Sequence, residues 1–385
     1  MILAAGFLAL FMSGGTRFAI GLTLKPIVEE LGWGRSELGL AVAMFQFVSA
    51  ATMLIAGYLA DRAGPRSVLA GGLFVSAIGI GFMSVMAAPW HALVLYGLVY
   101  AIGNGAASTI PVGVMVSRSF PDRIGLSNAI VTSGMSVGQF VMMSVLAAVL
   151  IAIGWRSVYL WLGVANLALV PLLLFTIPKS TPMQATAARP VDGIGVGEAA
   201  RSREFWLLVA IYAICGFNDF FVTTHVVAFA QDRGIEAFLS GNLLALMGIT
   251  ALFGVVVAGM LSDRCGPVWP TALAFAVRVG AFALIIIDQS PISVAVFALA
   301  FGVTLLVTAP LTVAFVSEWF GMRHLGALTG IITMVHHMFG GIGAYLGAAA
   351  FDATGTYDIA FGTMLATSVL ALLITLFLRP RPLQL

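Results

Sequence analysis

The sequence predicts an all-α membrane protein, with twelve transmembrane helices in two pseudo-symmetric six-helix bundles. Three observations carry that reading. Hydrophobic residues make up 61% of the 385, charged residues only 9%, and mean hydropathy is +1.07, outside the range of soluble domains. Apolar runs long enough to span, about 20 residues each, fall at 2–25, 38–59, 67–87, 91–117, 124–153, 157–177, 204–230, 237–260, 268–287, 291–317, 324–350 and 357–378. A charged hinge, GYLADRAGPR at 57–66, returns as GMLSDRCGP at 259–267, which sets Asp61 and Asp263 202 residues apart. A hinge repeated half a chain apart marks a duplicated bundle.

The first run lacks a basic start and continues past signal-peptide length through Gly14, Gly15 and Arg17, so it reads as helix 1. Unbroken apolar runs exclude a transmembrane β-barrel, whose strands alternate. Short connections make consecutive helices antiparallel neighbours and leave no room for a soluble catalytic module. The exception is 178–203, where Pro, Ser, Thr, Gly and basic residues replace the apolar pattern. It separates an N-terminal bundle, 1–177, from a C-terminal bundle, 204–385.

The 18 Lys and Arg set the expected orientation. With the hinges in the cytoplasm, Arg62, Arg66, Arg118, Arg123, Lys179, Arg189, Arg201, Arg203, Arg264, Arg323, Arg379 and Arg381 lie on that side. Only Lys25, Arg35, Arg156 and Arg233 lie opposite. The positive-inside rule then places both termini in the cytoplasm of an inner-membrane protein. The net charge of +2 is therefore topological and gives no reason to expect nucleic acid. Cys215, within helix 7, and Cys265, in a cytoplasmic loop, are too far apart in this topology to form a structural disulfide.

The repeat extends beyond the hinge. EELGW after helix 1 answers QDRGI after helix 7, and VSRSFPDR at 116–123 answers VSEWFGMR at 316–323. The doubled G-x-L-x-D-R-x-G-P hinge, the Arg after helix 4 and the central linker resemble the major facilitator superfamily across the whole chain. That resemblance implies two bundles rocking about a central site. More narrowly, GTRFAIGLTLKPIVEELGWGRSELGLA, GFNDFFVTTH and GIITMVHHMFGGIGAYLG resemble the bacterial monocarboxylate-transporter and oxalate/formate-antiporter branch. It implies a monomeric secondary transporter of a small organic anion, a monocarboxylate first, coupled to protons or counter-anion exchange. No cofactor or metal is expected. The branch typically carries an Arg in helix 8; here helix 8 has no charge and Arg278 stands in helix 9 instead.

A charge far from a helix end costs about 3 kcal/mol on insertion scales, so each needs a reason. Arg17 sits among Gly14, Gly15 and Gly21, with a planar fork suited to a carboxylate. Asp219 is its repeat mate, 202 residues on. The two are expected either to pair across the pseudo-twofold axis as an outer gate, Asp219 acting as a proton switch, or to form a static pair. Asn218 and His225 share a helical face, His225 close to the outer interface. His336 shares a stripe with Thr329, Thr333 and Gly340 and can bind an anion or pass a proton; His337 ranks lower. Arg278 must point inward, to substrate or to an acceptor on a neighbouring helix. Asn104 and Gln139 are second-rank candidates, because an amide has more groups to satisfy than a hydroxyl. Gating falls to Asp61, Arg62, Arg66, Arg118, Arg123, Asp263, Arg264 and Arg323, with Asp61 meeting Arg118 or Arg123 and Asp263 meeting Arg323.

Other readings are weaker. A proton-driven drug exporter usually shows G-x(3)-G-P in helix 5, where Gly134 to Gln139 reads GMSVGQ. A membrane receptor or sensor would carry a signalling domain. An integral-membrane enzyme would need a metal-ligand cluster, and adjacent His336 and His337 diverge by about 100° on a helix.

Overall fold

The computed structural model describes residues 1–120, 124–177, 193–321 and 324–378. Helices α1 (Ile2–Arg17) and α2 (Ala19–Leu31) form the first crossing, α3 (Arg35–Ala63) the second and α4 (Pro65–Phe82) the third. The fourth is composite: α5 (Pro89–Ala92), a π-helical stretch over Leu93–Tyr100, α6 (Ala101–Ala106) and α7 (Thr109–Ser119). Helix α8 (Ile124–Thr176) holds the fifth and sixth crossings, parted at Gly154, whose φ of 73° breaks the helix. After the short α9 (Val196–Ala199) come α10 (Arg203–Asp232), α11 (Ala237–Cys265) and α12 (Val268–Ile287). The tenth crossing is α13 (Pro291–Thr304) followed by α14 (Thr308–Phe320); α15 (Leu325–Thr354) and α16 (Asp358–Phe377) complete twelve. The apolar runs thus become helices, with corrections inside them. The first crossing runs to Leu31 rather than 25, and the first, fourth and tenth are each interrupted.

Each interruption has a local cause. The Tyr96 hydroxyl donates to the Arg17 carbonyl at 2.9 Å, and Phe18 N–H turns back to Gly15 O at 3.3 Å, so the ladder opens at Phe18. The fourth and tenth crossings break just upstream of Pro111 and Pro310, which lack the N–H that would continue the ladder. The expected linker is partly folded. Ile194 N–H donates to Phe320 O at 3.0 Å and Ala199 is buried in the second half's core, so 193–203 is anchored to that half; 178–192 lie outside the described residues.

Core packing differs between the two ends of the molecule. Toward the hinges, each half has its own buried cluster, one around Leu10, Leu73 and Val116 and the other around Phe205, Phe275 and Phe315. Away from the hinges, one cluster joins both halves through Phe45, Tyr96, Phe220, Phe282 and Tyr357. The halves are sealed together at the end opposite the hinges.

Close approach of α10 and α15 sets the centre of the second half. A Cβ on Gly216 would run into the His336 carbonyl, and one on Gly343 into the Phe217 carbonyl. Gly343→Ala is therefore expected to cost about 1–3 kcal/mol by overpacking, whereas Gly362→Ala, with open space around it, should be neutral. Thermal melting of the two purified variants compares them directly.

Candidate functional site between the two halves

The break at Phe18 places Arg17 at mid-membrane, where the first half faces α10. Its guanidinium lies over the ring of Phe18 (4.7 Å to the centroid) and, across the interface, over Phe220 (5.5 Å). Among the described residues it has no carboxylate partner and no hydrogen bond from its side chain. Arg17, Phe45, Gln46, Tyr96, Phe220 and Thr223 line a void of about 10 Å³, room for a single water. Tyr96 reaches it from the π-helical stretch, and Tyr100 packs behind, the two rings 5.3 Å apart and both on Phe45. Asn104, one turn on, donates to Ser13 Oγ at 2.9 Å and to the Tyr100 hydroxyl at 3.4 Å. It holds the tyrosine wall rather than facing the void.

The expected Arg17–Asp219 pair does not form. Asp219 is buried against Arg278, with Oδ1 2.7 Å from Nη2, close enough for an ion pair but out of line for a hydrogen bond. Arg278 is 1% exposed; it donates to Thr304 Oγ1 and Thr304 O at 3.0 Å and to Cys215 O at 3.3 Å. It has found its acceptors on neighbouring helices and does not reach the void. The physical reason lies in the repeat. Arg278 and Ser76 stand 202 residues apart, so the first half offers a serine where the second offers a guanidinium. Asp219 pairs within its own half, and among the described residues no carboxylate forms an ion pair with its mate Arg17.

Around Asp219 the fold also gathers Cys215, whose thiol donates to Oδ2 at 3.3 Å, and His336, whose Nε2 lies 3.8 Å from Oδ2. The three fall within 4.8 Å of one another, a grouping the sequence did not reveal. Arg278 already supplies the positive charge there, so the group is an ion pair with its hydrogen-bonding neighbours.

Several expectations for other residues are corrected. Asn218 donates to Ser368 Oγ at 2.7 Å and so faces α16, not the void. His225 does not reach interfacial water: it is 1% exposed, with Nε2 2.8 Å from Ala344 O and Nδ1 3.0 Å from the Tyr357 hydroxyl. Gln139 joins the halves by donating to Leu244 O at 3.1 Å. His337, ranked below His336, is the one that reaches the first half, its Nδ1 2.9 Å from Gln46 Oε1. Sequence reasoning missed Tyr96, Tyr100 and Gln46. The i, i+4, i+8 run Tyr96, Tyr100, Asn104 was the available signal.

At the sealed end, Asp232 of α10 pairs with Arg35 at 2.7 Å and Lys25 at 2.9 Å, and Arg35 also donates to the Tyr357 hydroxyl at 2.7 Å. The Asp352 carboxylate accepts from the backbone N–H groups of Arg35 (2.9 Å) and Ser36 (2.8 Å), capping α3 from the opposite half. Because Asp232 is open to solvent, screening limits each of its pairs to about 1 kcal/mol or less. Asp232→Asn should shift the equilibrium about five-fold toward opening at this end. Electron-spin distances between labels at Glu29 and Glu236 would show the longer population growing. At the hinge end, Gly64 and Gly266 have φ of 86° and 75°, Arg62 stacks on Tyr58 at 4.2 Å, Arg66 is partly buried, and Asp263 and Arg264 are exposed. The expected gate contacts of Asp61, Arg118, Arg123 and Arg323 lie outside what is described.

The sequence profile of the Major Facilitator Superfamily matches residues 6–257 and 211–384. The MFS-type transporter YcxA of Bacillus subtilis (strain 168) is 27% identical over 364 residues, covering 88% of this chain and 87% of its own. Monocarboxylate transporter 13 of Rattus norvegicus is 25% identical over 325 residues, covering 84% and 74%. The crystal structure of a bacterial homolog of the human lysosomal transporter Spinster, inward-facing and occupied, superposes with a TM-score of 0.79 at 16% identity over 97% of this chain and 95% of that one. The chain belongs to the major facilitator superfamily and is a multi-pass membrane transporter, not an enzyme.

Proposed function

We propose that the protein moves a small organic monoanion, a monocarboxylate in the first instance, by alternating access, with Arg17 as the anion's counter-charge. One observation carries this reading. Among the described residues, Arg17 is a cation at mid-membrane, between the halves, that no carboxylate neutralises. An uncompensated charge in that environment costs several kcal/mol, and an anionic ligand removes the cost. Arg278 is neutralised by Asp219, and among the described residues no second cation lines the void for a dicarboxylate. Phe45, Phe220 and Tyr96 suit a short apolar tail. The name of the rat relative, a monocarboxylate transporter, points the same way. A cationic drug would meet a repelling charge at Arg17, which disfavours the exporter reading for such substrates.

The conformation described is sealed at the end away from the hinges, and its void admits one water. Arg17 is partly exposed while that end is closed, so an anion approaches it from the hinge end. With the hinges cytoplasmic, as the Lys and Arg bias supports, the next opening is to the cytoplasm. Coupling is to protons or to a counter-anion. Uptake of labelled mono- and dicarboxylates into proteoliposomes, with and without a pH gradient, tests the proposal. Monocarboxylates should enter faster than dicarboxylates; absence of any carboxylate flux overturns it.

A further inference from the structure

Close packing of α3, in the first half, on α15, in the second, sets Gln46 opposite His337. A Cβ on Gly39 would strike Ala348, and one on Gly341 would run into the Ala43 backbone, so the two helices cross with almost nothing between them. One turn nearer the middle, His337 Nδ1 lies 2.9 Å from Gln46 Oε1. An amide oxygen only accepts, so His337 supplies the hydrogen, and the Gln46 carboxamide is held facing one way. Its Nε2 donates only, and it has no hydrogen-bond partner among the described residues. Gln46 is 3% exposed and lines the void beside Arg17, so this nitrogen turns into the void.

The other polar groups around the void are committed elsewhere or do not discriminate. The Tyr96 hydroxyl donates to Arg17 O, and Thr223 Oγ1 to Asp219 O, each at 2.9 Å. The Thr224 hydroxyl also lines the void, but it can donate or accept, so it does not select a ligand that only accepts. The Gln46 amide nitrogen and the Arg17 guanidinium are donors alone, one neutral and one charged. We propose that Gln46 is a second donor to the anion carried at Arg17, aimed by His337 of the opposite half, and that a bound carboxylate thereby favours the conformation sealed away from the hinges. This role for Gln46 rests on the anion reading of Arg17.

A carboxylate offers about four lone-pair sites on its two oxygens. The planar fork of Arg17 can take one on each oxygen, and an amide N–H can take a third. A neutral donor suits this position, because a second cation would repel Arg17 before any anion arrived. Phe220 ties the parts together: its ring lies 5.5 Å from the Arg17 guanidinium carbon and 5.3 Å from the ring of His337. Gln46 belongs to the first half and His337 to the second, so the amide is held in place only while α3 and α15 touch. When the sealed end parts, the carboxamide is free to turn and the aimed donor is lost. The anion therefore binds the sealed conformation more tightly, and by linkage its binding holds that conformation.

Spin labels at Glu29 and Glu236 read the conformation, and uptake of labelled acetate, propionate and butyrate into proteoliposomes reads KM. In the wild-type protein, a carboxylate that is transported should shrink the longer-distance population. Gln46→Met, of nearly the same shape, should remove that response and raise KM about ten-fold or more, the loss of one hydrogen bond to a charged group, with the maximal rate little changed. Gln46→Glu keeps the shape and the acceptor for His337 but sets a carboxylate beside Arg17, so uptake should be lost with no fall in melting temperature. His337→Leu should raise KM as Gln46→Met does, and His337→Asn, whose amide nitrogen falls where Nδ1 was, should restore it. An unchanged KM in Gln46→Met or His337→Leu, or uptake that survives Gln46→Glu, overturns the second donor. Label distances that ignore a carboxylate the protein transports overturn the conformational preference. Should Gln46→Met melt too early to assay, Gln46→Glu and the two His337 variants decide. If the wild-type protein moves no carboxylate, the anion reading fails and Gln46 with it; if it does and Gln46→Met matches it, the anion reading stands without Gln46.

Discussion

Arg17→Ala is expected to reduce monocarboxylate uptake to background at substrate concentrations below KM, while costing about 1 kcal/mol of stability or less. A charge-assisted hydrogen bond to a carboxylate contributes about 1.5–3 kcal/mol, which alone corresponds to about 10- to 150-fold in affinity. Loss of the guanidinium strands no partner, since no described carboxylate pairs with it; only its packing over Phe18 and Phe220 is lost, about 1 kcal/mol. Arg17→Lys should sit between the two, keeping a point charge but losing the planar fork. Uptake and thermal melting together make the check. Full flux in Arg17→Ala would remove the anchor, and a collapse of melting temperature would reassign Arg17 to folding.

Much of the architecture is written in residue periodicity. Runs of about 20 apolar residues become crossings because the bilayer demands an unbroken internal hydrogen-bond ladder, and the hinge repeat locates equivalent positions in the two halves. The interruptions were not legible, because what opens the ladder at Phe18 is a hydroxyl from Tyr96, 79 residues away. The repeat also misled at the site. It identified Arg17 and Asp219 as mates, but an offset does not fix what a side chain meets. Asp219 met Arg278, whose own mate is Ser76, and the asymmetry of that third position decided which charge was left over. His225 likewise depended on a partner, Tyr357, that follows α15 and anchors Arg35 at the sealed end.

Arg278→Ala is expected to be the most destabilising single substitution at this site, about 3–5 kcal/mol, because it leaves the Asp219 carboxylate buried with no cation beside it. Its effect should depend strongly on Asp219. In the double variant Arg278→Ala, Asp219→Ala no stranded charge remains, and what is lost is packing volume and the hydrogen bonds to Thr304 and the Cys215 carbonyl. Part of the lost stability should return, so the double variant should melt above Arg278→Ala alone. That ordering separates an ion pair from two independent structural residues, whose costs would add. It also bears on substrate class. If Arg278 faced the anion instead, its removal would weaken uptake with little effect on melting, and a dicarboxylate would become the better substrate. The burial of Arg278 at 1% exposure, with every described contact directed into the second half, leaves Arg17, among the described residues, as the cation between the halves with no carboxylate paired to it.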